Sequence, residues 1–328
     1  LSRFACFGNG INTVTVPSSI ICSVRNLHHR YGDHTALAGV DLDVHAGEIV
    51  AMLGPNGSGK TTLFRLLCTL LPIQEGSITI DGVDAKANPL AVRARIGIVF
   101  QSPSLDKKLS VDENIACQAA LYGMTGDQLD RRRDEMLLML QLTDRRDELC
   151  EKLSGGLKRR VELAKGMLHE PPLLLLDEPS TGLDPSARLS LWNAIRSFAD
   201  AGMAVVLTTH LLEEADKADR VAILSDGKKI AEGSPAQLRS EMGQTVVTIT
   251  TSDTAAVLQT LRDEMGLDPT ELHHQIRLQT ESPKTLVPDL MDRLGDRAES
   301  ISVGKPSLED VFVAKTGQRF DAPAKATL

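Results

Sequence analysis

Gly54-Pro55-Asn56-Gly57-Ser58-Gly59-Lys60-Thr61, followed by Thr62, has the residue types and spacing to hold a polyphosphate. The run fits G-x-x-x-x-G-K-[ST] at every required position. Its glycines let the backbone turn tightly, so that successive amides converge on an anion, and a helix starting there adds its N-terminal partial charge. Lys60 then reaches the β- and γ-phosphates, and Thr61 offers its hydroxyl to Mg²⁺. The plain alternative is a glycine-rich turn without a ligand. Strand, helix, lysine and threonine together argue against it, and a bound nucleoside triphosphate is the expectation.

Other residues carry chemistry of a different kind. Leu173-Leu174-Leu175-Leu176 runs into Asp177-Glu178-Pro179. A carboxylate at a strand end beside a phosphate loop can hold Mg²⁺, and the adjacent Glu178 can polarise a water for attack on the γ-phosphate. Leu153-Ser154-Gly155-Gly156 opens a helix with a serine and two glycines, a second anion site of the same physical kind. Four residues of that composition also recur by chance. Tyr31 can stack on a base or simply fill a sheet edge. Gln101 after an apolar strand means nothing alone, and a histidine just past a strand, such as His210, is more often a packing or capping residue.

These side chains need elements to place them. Residues 48–53 read as a short buried strand before the loop, and 62–68 as a helix with an apolar face. Residues 20–27 have strand character leading to Tyr31, with a turn at Gly32-Asp33, and 40–44 alternate as a half-buried strand. Residues 77–80 alternate into the turn Asp81-Gly82, and 96–100 form another apolar strand. Ser110 and Glu113 make a capping box. Helices are expected over 111–122 and 127–142, forming a helical insertion between Gln101 and Leu153. The second is amphipathic, which usually means packing on its own domain. A turn at 181–185, a helix to about Phe198 and a buried strand over 204–208 complete the series before His210.

The chain has 328 residues, room for two domains. Its 42% hydrophobic and 24% charged content is ordinary for a globular protein. The net charge of −8, from 36 basic and 44 acidic residues, provides no basic excess for a nucleic-acid surface. Apolar runs fall far short of the ~20 residues that cross a bilayer, so a membrane role is expected to come through a partner. The five cysteines (Cys6, Cys22, Cys68, Cys117 and Cys150) are scattered without C-x-x-C pairing and fit a reducing compartment. Gly8, Asn9 and Gly10 interrupt any signal-peptide core, and residues 1–19 are expected to be a flexible lead-in.

Taken in order, Tyr31, the 54–61 loop, Gln101, Leu153-Ser154-Gly155-Gly156, Asp177-Glu178, Gly182-Leu183-Asp184 and His210 resemble the motif series of an ABC transporter nucleotide-binding domain. The resemblance covers about 20–238. It implies an α/β P-loop NTPase cassette over 20–240, with an antiparallel β subdomain and a helical subdomain at about 102–153. It further implies an ATPase that powers export through a separate transmembrane permease at the cytoplasmic face of the inner (plasma) membrane, by ATP-driven dimerisation with a second ATP-binding subunit. Tyr31 would stack on adenine, and Gly54, Pro55, Asn56, Gly57, Ser58, Gly59, Lys60, Thr61 and Thr62 would hold the phosphates. Thr61, Gln101 and Asp177 would serve Mg²⁺. Gln101, Glu178 and His210 would act at the γ-phosphate, His210 positioning the water of Glu178. Ser154, Gly155 and Gly156 of one copy would bind ATP held by the other, with Asp184 at that seam. Leu157 departs from the family, standing where many members carry glutamine, which puts a side-chain contact with the nucleotide in doubt. A soluble ABC ATPase acting on ribosomes or DNA is the alternative; the single cassette and the absence of a long coiled-coil insertion speak against it.

Beyond Ile230-Ala231-Glu232-Gly233-Ser234-Pro235, residues 241–316 read as a small α+β accessory domain, with 317–328 as a tail. Strands are expected over 245–250 and 272–278, and helices over 253–265, 283–294 and from Ser307, where a cap opens the last one. The strings 157–164 and Ser307-Leu308-Glu309-Asp310-Val311-Phe312 resemble the daunorubicin-type drug-resistance branch of ABC exporters; a generic α+β appendage is the alternative.

Overall fold

The computed structural model describes residues 19–243, 245–272, 275–316 and 320. The lead-in expected over 1–19, but for Ser19, and the tail expected over 317–328, but for Phe320, lie outside the described residues. The chain divides into two compact units between Glu232 and Gly233, ahead of the boundary expected at 240.

In the first unit, β1 (Ile20–Tyr31) and β2 (His34–His45) form a long hairpin across Gly32-Asp33, where Gly32 takes φ +56. β3 (Ile49–Leu53) is buried throughout and runs into the phosphate loop and α1 (Lys60–Leu67), whose Leu63, Phe64, Leu66 and Leu67 face inward. β4 (Glu75–Ile80) and β5 (Val83–Asp84) complete an antiparallel sheet of order β2-β1-β4-β5. α2 (Pro89–Arg93) leads to β6 (Ile96–Val99). α3 (Val111–Leu121), capped reciprocally by Ser110 and Glu113, and α4 (Gly126–Met139) fill the insertion. α4 stops short of the expected 142. Gln141 takes φ +56, and the amides of Gln141 and Leu142 bond back to the carbonyls of Leu138 and Leu137, closing the helix in a Schellman turn.

α5 (Gly155–Met167), β7 (Leu173–Asp177), α6 (Pro185–Asp200), β8 (Ala204–Thr209), α7 (Leu212–Ala215), β9 (Arg220–Ser225) and β10 (Lys228–Gly233) follow. They complete a sheet of order β10-β9-β3-β8-β7-β6, in which β9, β3, β8, β7 and β6 are parallel. Both faces of such a sheet are covered, so β7 and β8 read as unbroken apolar runs rather than alternating ones. One core, including Val24, Leu42, Phe64, Leu175 and Val206, joins the antiparallel sheet to the parallel one. The carboxyl ends of the parallel strands share one edge, the place where open α/β sheets bind ligands.

The second unit contains α8 (Pro235–Ser240), β11 (Thr245–Thr250), α9 (Thr254–Gln259) with a π-helical continuation, β12 (Thr270–Leu272), β13 (Gln275–Thr280), α10 (Pro283–Leu294), β14 (Ser300–Gly304) and α11 (Leu308–Thr316). Its antiparallel sheet has the order β12-β13-β11-β14 over a separate core of Val247, Ile249, Val257, Leu261, Ile276, Leu278, Leu290 and Leu294. The single strand expected over 272–278 is therefore two. β12 ends at Leu272, which pairs with Gln275 at the start of β13. His273-His274 carry none of the Gly or Asn signals that mark a hairpin turn in sequence.

Candidate functional site

The loop between β3 and α1 is pressed against its surroundings so closely that side chains are excluded. Gly59 takes φ +103, and a Cβ there would stand 2.7 Å from the Ala36 carbonyl oxygen. A Cβ on Gly54 would stand 2.6 Å from Ser58 Oγ, which is buried without a hydrogen-bond partner. Lys60 is 5% exposed and donates to the carbonyl oxygens of Gly54 at 2.6 Å and Pro55 at 2.8 Å. Burial lowers its pKa, while the charges of Glu178 and Asp177 act to raise it. The loop is thus a tight cradle with a buried ammonium and an unpaired hydroxyl, which suits a polyphosphate. Asn56, Gly57 and Thr61 are exposed, and Thr62 is half-buried.

Beside it, β7 ends on Asp177, paired in the parallel ladder with Thr208 of β8. The Thr208 hydroxyl donates to Asp177 Oδ1 at 2.6 Å and accepts the Glu178 amide at 2.9 Å. Burial is the main force raising the Asp177 pKa, with the neighbouring Glu178 adding to it and the Thr208 hydroxyl opposing it. Glu178 stands at φ +42, in the left-handed region that costs a non-glycine residue roughly 1–2 kcal/mol. Such strain persists only where surrounding bonds over-determine it. Here the amide is tied to both the carbonyl and the hydroxyl of Thr208.

The Glu178 carboxylate then gathers the rest. Gln101 Nε2 donates to Oε2 at 3.0 Å, Thr181 Oγ1 donates to the same oxygen at 3.2 Å, and His210 Nδ1 lies 3.1 Å from Oε1. A carboxylate accepts only, so the proton of that last bond sits on Nδ1, leaving Nε2 as the outward nitrogen. Gln101, Glu178 and His210 are therefore one hydrogen-bonded group, although 77 and 32 residues separate Glu178 from its partners in sequence. Thr61, Asp177 and Gln101 contribute hydroxyl, carboxylate and carbonyl oxygens, the hard donors that suit Mg²⁺. Among the described residues no group of three His, Cys, Asp or Glu could hold a metal by itself, so a cation here would depend on phosphate oxygens as well.

Behind this group lies a carboxylate that sequence reasoning did not find. Glu214 is 1% exposed and accepts hydrogen bonds from the Ser180 hydroxyl and, at 2.7 Å, from Thr209 Oγ1. It ties the turn after Glu178 to the strand end before His210. Burial raises its pKa. No sequence signal marks Glu214, because its partners lie on separate elements.

The remaining expected residues stand apart from this group. Ser154 caps α5, accepting the Leu157 amide at 3.3 Å, and both Ser154 and Gly155 are exposed. A Cβ on Gly156 would stand 2.7 Å from the Ala187 Cβ, so α5 begins hard against α6. Among the described residues no hydrogen bond joins Ser154, Gly155 or Gly156 to the phosphate loop. Asp184 caps α6, its Oδ1 accepting the amides of Ser186 and Ala187 at 3.0 Å. Tyr31 is 44% exposed at the end of β1, its ring 4.7 Å from His29 in an edge-on contact.

Among the described residues, no helix is long and apolar enough to cross a membrane. The ABC transporter family profile matches residues 37–181. Daunorubicin resistance ATP-binding protein DrrA2 of Streptomyces coeruleorubidus is 36% identical, over 90% of this chain and 94% of its own. Nod factor export ATP-binding protein I of Burkholderia orbicola is 37% identical, over 90% and 97%. A solved dimeric ATP-binding cassette in a post-hydrolysis state, bound to ADP and Pi, is 28% identical with a TM-score of 0.58, covering 65% of this chain and 98% of that one. With relatives of this identity matched over nearly their whole length, and with the phosphate cradle and its carboxylates in place, this chain belongs to the ABC transporter family as one of its ATP-binding, ATP-hydrolysing subunits.

Proposed function

We propose that this chain powers a membrane exporter, working with a separate transmembrane permease and a second ATP-binding subunit at the cytoplasmic face of the inner (plasma) membrane. The observation that carries the catalytic part is the Glu178 carboxylate, held at once by Gln101, Thr181 and His210 beside the phosphate cradle. Export is favoured by the drug-resistance and Nod factor export relatives. The acidic net charge speaks against a nucleic-acid partner.

In this reading Tyr31 stacks its free face on adenine. The amides of 54–62 and the Lys60 ammonium hold the β- and γ-phosphates. Thr61, Asp177 and Gln101 would hold Mg²⁺, which when bound neutralises charge on those phosphate oxygens. Glu178 takes a proton from the attacking water, and the outward Nε2 of His210 faces the γ-phosphate. The exposed N-terminus of α5 is an anion site that, among the described residues, makes no hydrogen bond to the phosphate loop. Ser154, Gly155 and Gly156 of one copy therefore close on ATP held by the other, with Asp184 at the seam. The solved relative, a dimer with ADP and Pi, supports such a sandwich. The second unit, which carries none of these motifs, serves assembly.

Glu178→Gln tests the scheme. It should keep ATP affinity, slow hydrolysis by roughly 10²–10⁴-fold, and trap a dimer in saturating Mg·ATP. A variant that stays monomeric under those conditions overturns the sandwich. A chain that fractionates identically with and without a co-expressed permease overturns the membrane role.

A further inference from the structure

Two charged side chains of α5 are as buried as the leucines around them, and the scheme above uses neither. Arg159 is 5% exposed and Glu162 3%. They lie one helical turn apart and pair at 3.0 Å. Burying two charges is costly unless every remaining donor and acceptor finds a partner, so the destination of their other bonds is informative.

Those bonds converge on the irregular segment that follows β6. Arg159 Nη1 donates to the Phe100 carbonyl oxygen at 2.6 Å, and Nη2 donates to the Gln101 carbonyl oxygen at 2.9 Å. Glu162 Oε1 accepts the Ser104 amide at 2.6 Å. Lys165, the next residue along this face, donates to the Ser104 carbonyl oxygen at 2.9 Å. A segment outside helix and sheet must satisfy its backbone groups from side chains, and here one helix supplies them. The planar fork holds the two carbonyls from two different nitrogens in a fixed geometry, which a single ammonium nitrogen on a flexible stem does not reproduce at this position. Burial drives the pKa of Glu162 up and that of Arg159 down, while their mutual attraction and the Ser104 amide oppose this.

The clamped segment carries Gln101, whose amide touches Glu178, and the clamping helix begins at Ser154-Gly155-Gly156. We infer that Arg159 and Glu162 are positioning residues that make α5 and the Gln101 segment move as one piece, so that docking of Ser154–Gly156 on a nucleotide is transmitted to the contact between Gln101 and Glu178. This rests on the ATPase reading above and adds to it a coupling element built from side chains that touch no nucleotide.

The test uses the full-length chain. The double variant Arg159→Met with Glu162→Leu replaces the pair by apolar groups of similar size, which removes both charges together and leaves neither one buried unpaired. Its unfolding should stay cooperative at a lower midpoint, because the Phe100, Gln101 and Ser104 backbone groups lose their partners, and its affinity for ATP should stay within about threefold, because the phosphate loop is untouched. Its kcat should fall about 10–100-fold, the size of effect expected when a catalytic group is held loosely. Arg159→Lys should show a smaller loss in kcat, again without a change in KM. Wild-type kcat in a folded double variant overturns the clamp. Should that variant not fold, Glu162→Gln decides: it retains an acceptor for Ser104 but loses the charge that fixes Arg159, and an unchanged kcat there overturns the clamp equally. Absence of Mg·ATP hydrolysis by the wild type would instead overturn the ATPase reading, so the two failures are separable.

Discussion

Replacing Thr208 with valine tests how the two carboxylates at the end of β7 are held. Thr208 is 1% exposed, and valine preserves its branched shape while deleting the hydroxyl that donates to Asp177 and accepts from the Glu178 amide. The first loss is a hydrogen bond to a charged group, worth about 1.5–3 kcal/mol. The second is a neutral bond worth about 1 kcal/mol, and it matters more for rate. Glu178 holds a left-handed backbone that costs roughly 1–2 kcal/mol, and after the substitution only the Thr208 carbonyl oxygen, 3.2 Å away, restrains its amide. Losing about 1–1.5 kcal/mol from a balance that close leaves the productive placement of the carboxylate in the minority. At 1.36 kcal/mol per tenfold, kcat should fall about 5–15-fold. Urea unfolding should show a stability lower by about 2.5–4 kcal/mol, the sum of the two bonds. Thr208→Ser restores the hydroxyl without the methyl and should recover kcat to within about twofold. Steady-state ATPase rates for both variants decide the matter. Wild-type kcat in Thr208→Val refutes the argument, as does a serine variant as slow as the valine one, which would assign the effect to the methyl group.

Gly59→Ala should lower ATP affinity by at least about tenfold, since a Cβ at φ +103 adds backbone strain to a collision with the Ala36 carbonyl oxygen; nucleotide titration at wild-type affinity would contradict this. Burial holds His169 down at about 4, against about 6.5 for a free histidine. The unfolded chain therefore binds more protons between those values, so stability from this site is intact above about pH 6.5 and lost as pH falls towards 4. His169→Phe keeps the ring stacked 3.8 Å from Tyr122 and removes the titration, so its urea midpoint should fall less than the wild type's between about pH 7 and pH 4.5; equal falls would refute it. A chain ending at Gly233 retains Glu232 with its partners Arg220 and Lys229 and should keep ATP affinity within about threefold while losing association with the permease. A chain ending at Met242 strands α8, with its buried Leu238, away from α11 and should be the less stable of the two on heating; the reverse order would place α8 with the first unit.

The expected motifs were legible because each is written in a few consecutive residues. A phosphate cradle, a capping box at Ser110 and a strand ending in Asp177-Glu178 need no knowledge of what lies opposite them. Reversals and terminations without their usual residues were not legible. Alternation through 270–280 is the same whether the chain runs on or doubles back, and His273-His274 offer no turn signal. α4 ends on a glutamine at positive φ, where glycine or asparagine would have announced the stop.

The residues missed entirely share another property: each acts through a partner set by tertiary register. Thr208 meets Asp177 because β7 and β8 pair Leu176 with Leu207 and Asp177 with Thr208, a parallel register that no spacing along the chain reveals. Arg159 and Glu162 meet Phe100, Gln101 and Ser104 because α5 returns beside the end of β6. Glu214 meets Ser180 and Thr209 for the same kind of reason. The order of the motifs thus names the candidate groups for nucleotide contact, whereas the buried polar side chains behind them decide where those groups point. Since β7 and β8 are fully covered up to Leu176 and Leu207, the sheet fixes Asp177, and the Thr208 hydroxyl and carbonyl oxygens hold the Glu178 amide just beyond it. Ser154, Gly155 and Gly156 sit on a helix start that, among the described residues, makes no hydrogen bond to the phosphate loop. With the carboxylates held by the sheet and by Thr208, the open second anion cradle is the part left to move, and the clamp proposed for Arg159 and Glu162 would carry Gln101 with it.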